Sequence, residues 1–197
     1  MKRCFIMLII GFISVNIYAE NMPDVVDAGV KAYNQEDFSI ALKDFSIAAK
    51  AGDAQAQNNL GVYYLRKLPH VDENYKQAYV WLAKSASQNN KMGYYNLAYI
   101  YINGKAIKPN IKKGISLYKK SAALNYVKAQ NQLGFIYYQG RTEQQDFEQA
   151  YLYFSLAAQN EDATSASMLS VLSKQMTPQQ LKQANTLVKN YKFASTD

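Results

Sequence analysis

A repeat with a period of about 36 residues is the feature that most constrains the fold of this 197-residue chain. Four leucines lie 37, 36 and 36 residues apart, and a small residue follows each of them. These pairs are Leu60-Gly61, Leu97-Ala98, Leu133-Gly134 and Leu169-Ser170. A second series of small residues has the same period: Ala41, Ala78, Gly114 and Ala150. Such a period predicts stacked copies of one supersecondary unit.

Helices account for the spacing inside each unit. In the series that begins with Ala41, each small residue has a large apolar residue three positions before it and another four positions after it. Phe38 and Phe45 stand in this way around Ala41. Spacings of three and four place side chains on one helix face. Four residues before each small residue of this series stands a residue that favours the N-cap of a helix: Asp37, Asn74, Asn110 and Asp146. Residues that tolerate positive φ end the unit: Gly52, Asn89 and Asn125.

The sequence therefore predicts an all-α chain of about five helix pairs. The expected pairs cover residues 24–51, 53–88, 90–124, 126–159 and 162–192. Thr177-Pro178 followed by Gln180 predicts the start of the last helix with a capping box. Because one pair cannot bury its own apolar face, we expect the pairs to stack into a right-handed α-solenoid.

The motif Ala-x-x-x-Leu-Gly-x-x-Tyr, followed by a cap residue and an alanine between aromatic residues, resembles the Sel-1-like repeat, a variant of the tetratricopeptide repeat. The segments 59–64 and 132–137 carry it most clearly. The segment 28–33, with Asp37-Phe38, is similar to the leading unit of secreted bacterial members. Gly114 stands where the family usually has alanine. The resemblance implies a helical scaffold for protein–protein contact and supplies no active site.

The first 19 residues have the pattern of a secretory signal peptide. Lys2 and Arg3 precede an apolar run from Cys4 to Val15, and polar residues follow Ala19. This order predicts cleavage after Ala19 and a periplasmic or secreted product. An uncleaved N-terminal anchor is the alternative. After cleavage, residues 20–197 form the solenoid, and we expect no integral membrane segment in them.

The chain has one cysteine, Cys4, and one histidine, His70. This composition argues against structural zinc, a disulfide framework and a Cys-His nucleophile. No phosphate-binding glycine loop or metal-ligand spacing is present in the sequence. We therefore expect no enzyme, no catalytic residues, no cofactor and no metal.

Charge gives one candidate binding surface. Between Asn74 and Thr142 there is no Asp or Glu, and this basic block carries eleven Lys and Arg residues. Lys112 and Lys119, like Lys113 and Lys120, are seven apart, so they form a stripe along one helix. The stripe would favour an acidic protein partner or anionic lipid headgroups, and a solvated face remains the alternative. The export pattern argues against nucleic acid.

Aromatic residues give a second candidate surface. Tyr95, Tyr99, Phe135 and Tyr138 lie in the first helices of two adjacent pairs, at positions expected to face a concave groove. Tyrosine supplies rigid contact area with a polar tip, which suits recognition. Packing between repeats is the alternative for all four.

Two classes of function follow from these observations. The first is an exported scaffold that binds a protein in the bacterial envelope, in a sharper version an immunity protein against a periplasmic effector of a secretion system. The second is a hydrolase of cell-wall or antibiotic substrates, an activity ascribed to cysteine-rich relatives. The predicted mature chain has no cysteine, which weighs against the second class.

Overall fold

A computed structural model describes residues 22–66, 74–141 and 144–194. The predicted signal peptide and His70 lie outside these residues. The described part contains ten α-helices and no β-strand, so the predicted all-α class is confirmed. In chain order the helices are α1 Met22–Asn34, α2 Phe38–Lys50, α3 Ala54–Leu65, α4 Tyr75–Ser87, α5 Lys91–Asn103, α6 Ile111–Ala123, α7 Val127–Tyr138, α8 Phe147–Ala158, α9 Ala163–Ser173 and α10 Pro178–Asn190.

The described residues divide into two compact units, one that ends at Gln88 and one that begins at Asn89. In the first unit, α1 to α4 pack each against the next in chain order. Its buried core centres on Phe45 and Leu60, with Ala41, Ala48 and Ala56 between them. The alanines let the helix backbones approach while the larger residues fill the space between them.

The second unit contains α5 to α10 and both candidate binding surfaces. Each of α5 to α8 packs against the next helix, and α8 also contacts α10. Leu133 and Phe154 are fully buried in this unit. The segment after α10 contacts α6, because the Ala194 N–H donates to the Ala123 carbonyl at 2.8 Å.

Most of the predicted caps are present. The side chains of three N-cap residues accept a hydrogen bond from the backbone N–H three residues later: Asn74, Asn110 and Asp146. Asp37 occupies the N-cap position of α2 without a side-chain cap bond. Thr177 and Gln180 form the predicted capping box of α10. The residues with positive φ where second helices end include the predicted Gly52, Asn89 and Asn125.

The glycines that follow two of the leucines, Gly61 and Gly134, lie where the two helices of a pair approach closely. A Cβ on Gly61 would lie 2.5 Å from Leu82 Cγ, and a Cβ on Gly134 would lie 2.5 Å from Phe154 Cδ1. These distances leave no room for a methyl group. The third pair places its glycine on the other helix: Ala98 follows the leucine of α5, and Gly114 lies opposite on α6. A Cβ on Gly114 would meet Ile102 and the Ala98 carbonyl, which explains the glycine at this position.

Buried serines join the two helices of a pair. Ser85 Oγ donates to the Ala54 carbonyl at 2.7 Å, and Ser121 Oγ donates to the Lys91 carbonyl at 2.7 Å. Both serines are fully buried. The equivalent bonds pair the end of one helix with the start of its partner, so they fix the register within each pair.

Gly134→Ala tests the close approach. Alanine in a helix interior is worth ~1 kcal/mol more than glycine, so a spacious site would gain stability. The new Cβ instead meets the buried Phe154 ring, and overpacking of this kind costs ~1–3 kcal/mol. We expect a net loss in the urea unfolding free energy. Ser116→Ala, at an exposed position of α6, is the control and should leave stability unchanged or slightly raised. A stabilised Gly134→Ala chain would contradict the packing.

Candidate functional site

The second unit carries the four predicted lysines on one helix. Lys112, Lys113, Lys119 and Lys120 are all exposed on α6. Asn110 caps this helix by accepting from the Lys113 N–H at 2.9 Å. The lysines therefore project from a helix whose start and register are well defined.

Two of these lysines lie against aromatic rings of the neighbouring helices. Lys119 Nζ is 5.7 Å from the centre of the Tyr137 ring on α7. Lys120 Nζ is 5.5 Å from the centre of the Tyr94 ring on α5. Contacts of this kind contribute ~0.5–1 kcal/mol at exposed sites. They place the two ammonium groups beside different neighbouring helices, Lys119 beside α7 and Lys120 beside α5.

Two of the four predicted aromatic residues, Tyr95 and Tyr99, line one cleft, and the other two do not. Tyr95 is half-buried, with its ring 5.2 Å from that of Tyr118 and 5.3 Å from that of Tyr126. Tyr99 is 41% exposed. Both line one cleft of about 530 Å³.

Phe135 and Tyr138 do not line this cleft. The Phe135 ring packs edge-to-face on Phe154 at 5.1 Å, which is the inter-helix packing of the alternative interpretation. The Tyr138 ring stacks on Phe147 at 6.0 Å. The four residues therefore do not form one continuous surface.

The cleft lies between α5, α6 and α7. Side chains from α5 and α6 form most of it, and α7 and the residues after it contribute Gln132, Ile136 and Arg141. The other lining residues are Tyr95, Tyr99, Ile102, Asn103, Ile111, Ile115 and Tyr118. Its surface is thus largely apolar and aromatic, and its polar groups are phenol hydroxyls, neutral amides and one guanidinium.

A second groove of about 670 Å³ adjoins the cleft along α6. Lys112 and Lys119 line it together with Tyr137. Ile111 and Ile115 line both the groove and the cleft. The basic stripe and part of the aromatic surface, predicted as separate candidates, therefore meet on the first turns of α6.

Two phenols of the cleft, those of Tyr95 and Tyr118, have raised pKa values. Burial raises the pKa of Tyr95, and the neighbouring Tyr99 raises it further. Burial also raises the pKa of Tyr118 strongly, with smaller contributions from Tyr95 and Tyr99. A buried phenol loses the hydration that would stabilise its anion. These two tyrosines thus add no negative charge beside the lysines.

The sequence did not single out Ile111 as a site residue. It is 46% exposed and lies on the shared edge of the cleft and the groove. A signal was present, because Ile111 occupies the position at which Phe38, Tyr75 and Phe147 stand in other units. Ile111 is aliphatic at a position that is otherwise aromatic, which marks this repeat as different.

Neither a metal-binding cluster nor a membrane-spanning helix is found among the described residues. They contain no group of three or more His, Cys, Asp or Glu side chains placed to hold a metal ion. None of the helices in the described ranges combines the length and the apolar character that crossing a bilayer requires.

The repeats match a known family. The Sel1 repeat family model matches residues 54–90, 91–126 and 127–162. The DAP3-binding cell death enhancer 1 of Rattus norvegicus is 35% identical over 86 residues, which is 44% of this chain and 16% of that protein. A sel1-like repeat-containing protein of Acanthamoeba polyphaga mimivirus is 45% identical over 51 residues, 26% of this chain and 9% of that protein. The chain thus spans under a fifth of the length of these relatives.

Solved structures share the fold. A protective antigen of uropathogenic Escherichia coli strains, which displays an SLR fold, superposes with a TM-score of 0.72 and 32% identity over 79% of this chain and 34% of that chain. A Sel1 repeat protein from Oxalobacter formigenes superposes with a TM-score of 0.69 and 21% identity, over 82% of this chain and 69% of that one. At that identity the second likeness concerns the fold alone. The predicted helical-repeat fold and the family resemblance are confirmed.

Alanine substitutions at Tyr99 and Phe135 should change the unfolding free energy by different amounts, because the first ring is exposed and the second is packed. Tyr99→Ala removes a ring that is 41% exposed, so it should lower the unfolding free energy by less than ~1 kcal/mol. Phe135→Ala removes the ring that packs on Phe154, and it should cost ~3 kcal/mol. Urea unfolding of both variants measures the difference. Equal losses would show that exposure does not separate these two positions.

Proposed function

The chain belongs to the Sel1 repeat family, and we propose that it is an exported scaffold that binds a protein partner in the bacterial envelope. Sel1 repeat chains are scaffolds for protein–protein interaction. A scaffold needs an exposed surface with a distinct chemistry. The second unit offers one on α6, where basic side chains stand beside an apolar cleft.

The observation that carries the proposal is the arrangement of charge around α6. The basic block has eleven positive residues and no carboxylate between Asn74 and Thr142. Its four central lysines are exposed on the α6 surface. Clustered positive side chains attract partners of the opposite sign and speed their association. The preferred partner is therefore an acidic protein surface.

Export is supported by the pattern of residues 1–19. A charged start, an apolar run and a polar exit after Ala19 are typical of a cleaved signal peptide. An exported chain does not meet cytoplasmic nucleic acid, which leaves proteins and anionic lipid headgroups as ligands for the lysines. We favour a protein because an apolar cleft adjoins them, and headgroup charge alone does not use such a cleft.

A sharper version of the proposal is an immunity protein. An export pattern and one basic binding surface suit a chain that blocks an acidic effector delivered to the periplasm by a secretion system. A neighbouring gene that encodes a toxin would support this version over a general adaptor. We favour a scaffold over a hydrolase, because the predicted mature chain has no cysteine, whereas the relatives with that activity are cysteine-rich.

Reversal of the α6 charges tests the proposed function. The wild-type chain, isolated from the envelope fraction with Glu20 as its first residue, should retain an envelope protein that co-purifies. Replacing Lys112, Lys113, Lys119 and Lys120 with Glu should slow association with that protein by about tenfold or more and flatten its dependence on salt. Binding kinetics measured by surface plasmon resonance give both quantities.

A matched variant controls for net charge. Lys174, Lys182, Lys189 and Lys192 are also exposed in the second unit but lie outside the basic block. Replacing these four with Glu changes the net charge equally and should leave association close to wild type. If both variants slow association equally, net charge alone would explain the effect, and the α6 lysines would not form a specific binding surface. Recovery of the full-length chain only from the cytoplasm would contradict the envelope role.

A further inference from the structure

We propose that the cleft between α5, α6 and α7 is a docking site for an acidic peptide segment, which places one apolar side chain between Tyr99 and Ile111 and its carboxylates near Arg141, Lys112 and Lys119. This inference rests on the proposed function as a protein-binding scaffold.

The apolar part of the site is exposed in the free chain. Tyr99 and Ile111 are two of the eight large apolar side chains that the described residues leave exposed, at 41% and 46%. They come from different helices and line the same cleft. Ile115 and Tyr118 line the same cleft and are buried. An apolar ligand side chain here would shield both exposed groups from water at once.

The polar part of the site selects a negative ligand. Arg141 lines the cleft, and Lys112 and Lys119 line the adjoining groove. The residues that line the cleft and the groove include no Asp or Glu. Carboxylates are the protein groups that complement guanidinium and ammonium groups. The phenols of Tyr95 and Tyr118, whose pKa values burial raises, stay neutral and add no opposing charge.

The arrangement of the two cavities favours an extended peptide over a compact anion. The cleft and the groove, of about 530 and 670 Å³, share Ile111 and Ile115 along the start of α6. Side chains of an extended peptide alternate between its two sides. Such a peptide can therefore seat an apolar residue in the cleft while its neighbours reach the lysines of the groove. A free anion would leave Tyr99 and Ile111 uncovered.

A labelled peptide tests the site directly. The probe is a short fluorescent peptide in which glutamates flank a single phenylalanine, and its anisotropy reports binding to the full mature chain. The comparison peptides carry serine in place of phenylalanine or lysines in place of the glutamates. We expect the serine peptide to bind about tenfold more weakly than the probe. The lysine peptide should not bind.

Matched variants locate the binding. Ile111→Ser and Tyr99→Ser should each weaken binding of the probe by about tenfold. The control is Val171→Ser, which changes a side chain of similar exposure, 44%, on α9 of the same unit. It should change affinity by less than about twofold. Arg141→Glu should also weaken binding, while Lys182→Glu on α10 should not. Circular dichroism of each variant checks that the helices are retained.

Several results would overturn the inference. Equal affinity for the phenylalanine and serine peptides would show charge attraction without use of the cleft. Vesicles rich in phosphatidylglycerol that bind the chain through Ile111, with no binding of the peptide, would assign the surface to lipid. Self-association of the chain that is lost in Ile111→Ser would assign it to a second copy.

The outcomes also separate this inference from the proposed function. If Ile111→Ser retains the envelope partner as well as wild type does, the cleft inference fails while the scaffold function stands. If no envelope partner is captured but the probe binds through Ile111, the envelope role fails and the site remains.

Discussion

The close approach of two helices at a small residue is the constraint on which this structure depends. Gly61 lies against Leu82, and Gly134 lies against Phe154, with no space for a methyl group at either glycine. This contact limits the distance between the two helices of a pair, and it recurs in the repeats that contain Gly61 and Gly134. Once the distance is set, the buried hydroxyls of Ser85 and Ser121 reach carbonyls of the partner helix and fix the register.

The candidate site occurs where this contact changes. In the third pair the glycine is on α6 as Gly114, and α5 carries Ala98 in its place. Tyr118 holds the position that Leu82 and Phe154 hold in the neighbouring pairs. Leu82 and Phe154 are fully buried beneath glycines, whereas Tyr118 packs on Tyr95 and lines the cleft. The residues at which this pair differs from its neighbours therefore lie at the surface that we assign to binding.

The repeat made much of the fold predictable, because cap residues and small residues act locally. Asn110 and Thr177 cap their helices as their sequence context indicates. Exposure could not be predicted in the same way. Tyr99 and Phe135 are 36 residues apart, but Phe135 packs on Phe154 and Tyr99 is exposed. The difference depends on the residue that the next helix places opposite, which is a tertiary property. The same holds for Ile111, whose role depends on two cavities that meet at its side chain.

Site-specific photo-crosslinking in living cells tests the central claim most directly. A photoreactive phenylalanine analogue is introduced at Tyr99, at Ile111 or, as a control, at Val171, which is similarly exposed. The account predicts that positions 99 and 111 crosslink the same envelope protein, through a segment rich in carboxylates with an apolar residue, and that position 171 does not. Crosslinks to that protein of equal yield from position 171, or from position 171 alone, would contradict it.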